Sequence, residues 1–148
     1  MHADRGIVDD RQLVAVQTFD ISRLTTHPVV IRPGTFIAVS GAGPKGDSNG
    51  SGKTSFLAAV SVLLADPQWN LAANGGKHAA GLLFRPDAAG LDPSLRITPA
   101  PHGYIAAVFA DPSEVRDSAL TVWVRIAATA PYVQARWVPG LHVATADG

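Results

Sequence analysis

The feature that most constrains the fold is a run of small and polar residues, 49–55, lying between an apolar segment and an amphipathic one. The apolar segment, Thr35 to Ser40, is typical of a strand that is buried on both faces. The second segment, Lys53 to Ala65, is ended by Asp66-Pro67. Its apolar residues recur at helical spacing and form a stripe of Phe56, Leu57, Val60, Leu63 and Leu64. This order of strand, glycine-rich loop and helix predicts an α/β fold.

The chemistry of this loop suits a phosphate group. Backbone N–H groups in a tight glycine loop point inward, and the N-terminus of the following helix adds a partial positive charge. Lys53 can neutralise β- and γ-phosphate oxygens as a catalytic residue, and the hydroxyl of Thr54 can ligate Mg²⁺. The sequence therefore predicts a P-loop for ATP and Mg²⁺. Its nucleotide-binding residues would be Asn49, Gly50, Ser51, Gly52, Lys53, Thr54 and Ser55.

The loop departs from the general P-loop pattern at Asp47, where that pattern has a glycine. Aspartate tolerates a positive φ, so the turn can survive the change. Its carboxylate would repel a phosphate unless it points away or reaches the metal. A chance Gly/Ser loop ahead of a helix is the structural alternative.

The rest of the chain predicts one domain, 1–148, with a mixed sheet around the main helix and an antiparallel subsheet formed late in the chain. Residues 66–103 hold several prolines and Gly pairs, which predicts a long, partly mobile insertion with short elements around Leu82. The other predicted strands are Gln12 to Phe19, Val29 to Ile31, Tyr104 to Ala110, Leu120 to Ile126 and Tyr132 to Trp137.

Composition excludes several classes of function. Lys plus Arg and Asp plus Glu are both 12, so the chain has no net charge. Its overall charge therefore does not point to nucleic acid or to a membrane surface as a partner. The chain has no cysteine, which excludes disulfides and thiol chemistry, and its 5 histidines show no metal-ligand spacing. No secretory signal or membrane-spanning run is visible, so we expect a cytoplasmic protein without a membrane partner.

The run at 49–55, with the Phe-Leu-Ala-Ala-Val-Ser-Val-Leu-Leu that follows, resembles the Walker A region of the SMC/Rad50/RecF group of ABC-type ATPases. Phe19 ahead of the Pro33-Gly34 turn is similar to the start of that family's N-terminal lobe. Three later segments are similar to its antiparallel strands: Ala107 to Asp111, Leu120 to Ile126, and Tyr132 to Gly140.

The resemblance implies the N-terminal half of an ATPase head. In this family the signature motif, the Walker B Asp-Glu pair and the switch histidine lie in a C-terminal half-head, and none of them can be placed here. ATP hydrolysis would then require that partner and head–head dimerisation. DNA would be a partner through the assembled complex, in repair, chromosome maintenance or defence against foreign DNA. The resemblance also implies that Arg23 contacts phosphate, and an exposed loop arginine is the equal alternative.

Two other interpretations stay open. Asp111 could be the Walker B acid of a stand-alone small kinase or NTPase, although the following Pro112 and the missing adjacent glutamate favour a simple turn. A degenerate lobe, spoiled by Asp47 and only assembling with partners, is the non-enzymatic alternative. The remaining candidates are interpreted most simply as surface charges, namely Lys77, Arg85 and Arg96, or as core and interface aromatics, namely Trp69, Trp123 and Trp137.

Overall fold

The computed structural model describes residues 11–24, 26, 28–39, 53–65, 81–84 and 98–142. Within them the chain forms one five-stranded sheet with the strand order β2-β1-β3-β4-β5, and every pairing is antiparallel. The elements are β1 (Gln12–Phe19), β2 (Val29–Val30), α1 (Lys53–Leu63), β3 (His102–Ala110), α2 (Val115–Ser118), β4 (Leu120–Ala127) and β5 (Val133–Pro139).

The central strand β3 is the most buried element, because it pairs with β1 on one side and β4 on the other. Ile105, Ala106, Ala107 and Val108 have no exposed surface, so both faces of this strand are covered. Every residue of β4 is buried or half-buried, and each of its two faces includes buried side chains.

The main core lies between α1 and one face of the sheet. The helix contributes three buried side chains and the strands contribute apolar side chains from the face that α1 covers. The buried members of this core are Val16, Ile21, Ala58, Ala59, Val62, Leu82, Leu83, Ile105, Val124 and Ile126. A smaller cluster of Val108, Ala110 and Ala119 lies beside α2.

The prediction of a mixed sheet is wrong for the part of the chain that the structure describes. The segment Thr35 to Val39 forms no strand, and the side chains of Phe36, Ile37 and Val39 are 96%, 50% and 37% exposed. A strand buried on both faces needs neighbours that supply its hydrogen bonds and its cover, and no described strand lies beside this segment. A P-loop lobe is therefore not shown, whereas the antiparallel strands are.

Part of the predicted insertion is ordered into the core. Leu82, Leu83 and Phe84 are buried, and Leu83 forms an antiparallel bridge with Ile21. This confirms short structure around Leu82. Residues 66–80 and 85–97 of the insertion, which include Lys77, Arg85, Arg96 and Trp69, lie outside the described residues.

Candidate nucleotide-binding site

The helix that follows the glycine-rich loop begins at Lys53, as the sequence predicts. Lys53, Thr54 and Ser55 form its first turn, with Thr54 exposed and the other two half-buried. The loop residues Asn49, Gly50, Ser51 and Gly52, and also Asp47, lie outside the described residues. The described part of the candidate site is thus the N-terminal turn of α1.

The charge distribution of α1 is the reverse of the one that helices favour. Lys53 is the only charged residue of the helix, its first turn has no acidic side chain, and its last turn has no basic one. Helix N-termini favour negative charge by about 0.3–1 kcal/mol per group, so a lysine there is locally unfavourable. The first-turn N–H groups also lack partners within the helix. Both features suit a site that is completed by an anion.

Small side chains hold α1 against the sheet. Ala58, Ala59 and Val62 are buried, whereas Leu57 and Leu64 are 55% and 57% exposed. The helix ends at Leu63, two residues before the predicted Ala65, which takes a left-handed φ of 57°. The small alanine side chains let the helix backbone approach the sheet closely, so the packing of this buried side positions the first turn of α1 relative to the core.

The turn that carries Arg23 is tied to the same core. The N–H of Ser22 donates to the carbonyl of Leu82 at 2.8 Å, and the N–H of Phe84 donates to the carbonyl of Asp20 at 2.9 Å. Ile21 between them is fully buried in the cluster that includes α1. Arg23 itself is exposed. The fold therefore fixes its turn relative to α1, and its contact with phosphate stays a prediction.

Asp111 organises a turn. Its Oδ1 accepts hydrogen bonds from the N–H of Ser113 at 2.9 Å and from its hydroxyl at 2.7 Å, and the Glu114 N–H donates to the Asp111 carbonyl at 3.0 Å. The two bonds from Ser113 lower the pKa of the Asp111 carboxyl. These hydrogen bonds show that the Asp111 carboxylate stabilises the turn. This favours the interpretation of Asp111 as a turn residue over its interpretation as a Walker B acid.

Among the described residues, no three His, Asp or Glu side chains come together in a way that could hold a metal ion. Mg²⁺ at a phosphate site usually takes one or two protein ligands, with phosphate and water oxygens completing its coordination. A single protein ligand, the hydroxyl of Thr54, is therefore compatible with the predicted Mg²⁺ site.

A second group of residues, not predicted from the sequence, lies on the sheet face opposite α1. Phe19, Tyr104 and Trp123 form an aromatic cluster there, next to Arg125. The sequence of β4 contained part of the signal, because residues two apart on a strand share a face and Trp123 is two residues from Arg125.

Comparisons of the chain with protein families, curated proteins and solved structures found no match. The resemblance to the SMC/Rad50/RecF group therefore rests on the residues quoted for it. None of the described helices is long and apolar enough to cross a membrane.

Proposed function

We propose that the chain binds Mg·ATP and acts as the N-terminal half of an SMC/Rad50-like ATPase head. The observation that carries this proposal is the junction at Lys53. A run of Asn-Gly-Ser-Gly leads directly into a helix whose single charge, a lysine, lies at the end where a helix favours an anion. A bound triphosphate would remove that conflict, because it would accept hydrogen bonds from the first-turn N–H groups and pair with the ammonium group.

Each residue of the site has a distinct role in the proposal. Lys53 neutralises the β- and γ-phosphates, Thr54 ligates Mg²⁺, and Arg23 approaches the phosphates from the turn after β1. The backbone amides from Asn49 to Ser55 surround the phosphate oxygens. This arrangement binds and orients the nucleotide. None of the residues given a role here is a carboxylate or a histidine that could act as a general base, and the only glutamate of the chain, Glu114, opens the short helix α2.

Hydrolysis would then require a C-terminal half-head and head–head dimerisation, with DNA as the partner of the assembled complex. The exposed apolar segment from Phe36 to Val39 supports the proposal that a second chain completes the head. It has the composition of a buried strand but lacks neighbours among the described strands.

The proposal is tested by titrating the chain with a fluorescent ATP analogue and Mg²⁺, beside Lys53→Ala. Losing a charge-assisted contact should weaken binding by on the order of ten- to hundredfold. Arg116→Ala is the matched control, because Arg116 is an exposed cation on α2, and we expect its affinity to equal that of the wild-type chain.

A phosphate-release assay on the same samples separates the interpretations. Saturable, Lys53-dependent binding without release supports the half-head. Release by the lone chain that Asp111→Asn abolishes would establish the stand-alone NTPase instead. Absence of binding would overturn the proposal and leave the degenerate lobe. Binding that Lys53→Ala leaves intact would also overturn it, because the nucleotide would then bind without the lysine of the loop.

A further inference from the structure

An aromatic cluster lies on the sheet face opposite α1. Val124 and Ile126 belong to the core beneath the helix, so Trp123 and Arg125, which alternate with them, lie on the other face. The rings of Phe19 and Trp123 stack with centroids 5.6 Å apart, and Tyr104 meets Trp123 edge-on at 6.3 Å. His102 continues the cluster, with its ring 5.5 Å from that of Tyr104.

Two arginines border these rings. The strand register places Arg125 directly opposite Tyr104, and Arg136 directly opposite Trp123. The Arg125 guanidinium donates to the side-chain oxygen of Gln134 at 3.2 Å, and that of Arg136 donates to a backbone carbonyl at 3.4 Å. Both acceptors are neutral, so neither of these hydrogen bonds compensates the positive charge of its arginine.

Acidic residues are absent from the five strands that the structure describes. A chain with no net charge thus presents a sheet face with two arginines and no strand carboxylate. Arg136 and Gln134 are exposed, and Phe19, Tyr104, Trp123 and Arg125 are half-buried as whole residues.

From this juxtaposition we propose that the face formed by Phe19, Tyr104, Trp123, Arg125 and Arg136, hereafter the aromatic face, binds single-stranded nucleic acid. Unstacked bases stack on aromatic side chains at the surface of a sheet, and neighbouring arginines pair with the phosphates. The cluster spans the neighbouring strands β1, β3 and β4, which lie about 4.8 Å apart, so a bound strand would cross the sheet and stack on the ring faces that Phe19 and Trp123 do not use against each other.

The chemistry of the face selects this occupant over others. A duplex keeps its bases stacked inside, so it would use the arginines and leave the rings without partners. An acidic peptide would likewise engage the charges alone. A purely apolar partner would bury two guanidinium groups without neutralising them, which is costly.

This inference does not depend on the proposed ATP site, since α1 covers the opposite face of the sheet. The test therefore measures binding of a fluorescein-labelled oligothymidine strand by fluorescence anisotropy, without nucleotide and in the presence of EDTA. The full chain is compared with Trp123→Leu and Arg136→Ala. Each has a matched control: Trp137→Leu, because Trp137 is 69% exposed on the other face, and Arg116→Ala on α2.

We expect Trp123→Leu to weaken binding by on the order of 5- to 150-fold, the usual effect of losing one stacking partner. Arg136→Ala should weaken binding and also reduce the dependence of log K on log salt by roughly 0.7, as expected when one phosphate contact with a single strand is lost. Trp137→Leu and Arg116→Ala should bind like the wild-type chain.

Three results would overturn the proposal. The first is no binding by the wild-type chain, the second is equal affinity for a duplex of the same length, and the third is full affinity in folded Trp123→Leu. Circular dichroism establishes whether that variant is folded. If it is not, the double variant Arg125→Gln with Arg136→Ala decides, because both side chains can be shortened without opening the core, and unchanged affinity there would contradict the proposal.

Discussion

Gly103 lies where β3 passes close to the end of β1. A Cβ atom at this position would lie 2.8 Å from the carbonyl oxygen of Phe19 and 2.9 Å from that of Asp20. Both are backbone atoms, so the strand and the turn carrying Arg23 would have to move apart. We expect Gly103→Ala to lower the free energy of unfolding by about 1–3 kcal/mol, measured by urea denaturation.

Gly81→Ala is the matched control for this prediction. A methyl group at Gly81 would have no atom within 4 Å apart from its chain neighbours and the backbone of its own helical turn, and the backbone there is helical. At this position alanine should leave the free energy of unfolding unchanged or raise it by up to about 1 kcal/mol. Equal effects of the two substitutions would show that the close approach at Gly103 does not limit the packing.

The carboxyl group of Asp111 gives a pH-dependent prediction. Hydrogen bonds from Ser113 favour its charged form and lower its pKa below the ordinary value of an aspartate. The stabilisation they provide is therefore complete above the pKa of the unfolded chain and is lost as pH falls through the lower pKa of the folded chain. Ser113→Ala removes the side-chain bond, which is the larger cause, and should raise the pKa of Asp111. An NMR titration of the carboxyl carbon measures it, and an unchanged midpoint would contradict this account.

At the scale of elements, one side chain anchors the end of β5. The hydroxyl of Thr121, a fully buried residue of β4, donates to the carbonyl of Gly140 at 2.7 Å and accepts from the N–H of His142 at 3.0 Å. Thr121→Val keeps the shape and removes both bonds, so we expect a loss of about 1–2 kcal/mol in the free energy of unfolding.

Hydrogen exchange locates that effect. In Thr121→Val the amide of His142 should exchange faster, because its acceptor is gone, while amides in the middle of β3 should change only with global stability. Thr121→Ser keeps the hydroxyl and should keep His142 protected. Fast exchange at His142 in the serine variant would show that packing, and not the hydrogen bond, holds this end of the strand.

The strands could be predicted from sequence because their signals are local. β1 has the predicted bounds, Gln12–Phe19, and the three later strands differ from prediction by one or two residues at their ends. The buried strand at Thr35 to Ser40 was wrong over its described residues, because apolar composition indicates a tendency to be buried and contains no information about a neighbouring strand. The prediction of a mixed sheet was wrong for the same reason, because the partner and the direction of each strand depend on segments that are distant in sequence.

Of the candidate site, the sequence predicted the position of the helix but not the side of the helix that is buried. The start of α1 at Lys53 followed from the loop and the helical spacing. Its buried side did not, because the predicted apolar stripe included Leu57, which is 55% exposed, and omitted Ala58 and Ala59, which face the core. The helix is apolar around most of its circumference, so periodicity alone cannot orient it. The aromatic face was missed because it joins residues from several strands, a proximity that only the register reveals.

At the scale of the whole molecule, the sheet lies between the two proposed binding sites. The helix with the candidate phosphate-binding turn covers one face, and the aromatic cluster occupies the other. Substitutions at Lys53 and at Trp123 should therefore affect different ligands and should be additive in stability, since they share no contact. Loss of both activities in either single variant would indicate that the two faces are coupled or that the variant is unfolded.

A substitution in the exposed segment after β2 tests whether this segment contributes to the stability of the chain by itself. If Thr35 to Ser40 formed a buried strand, Phe36→Ser would cost several kcal/mol, as large truncations in a core do. The structure instead leaves Phe36 96% exposed, so we expect a change within about 0.5 kcal/mol in the free energy of unfolding.

Ile105→Ala, at a fully buried position of β3, is the comparison and should cost about 2–5 kcal/mol in the same urea titration. A cost at Phe36 approaching that at Ile105 would mean that the segment is covered within the lone chain, as its composition predicts. A neutral substitution would mean that Phe36 contributes no stability here and is available to another chain, which is the condition that the proposed half-head has to meet.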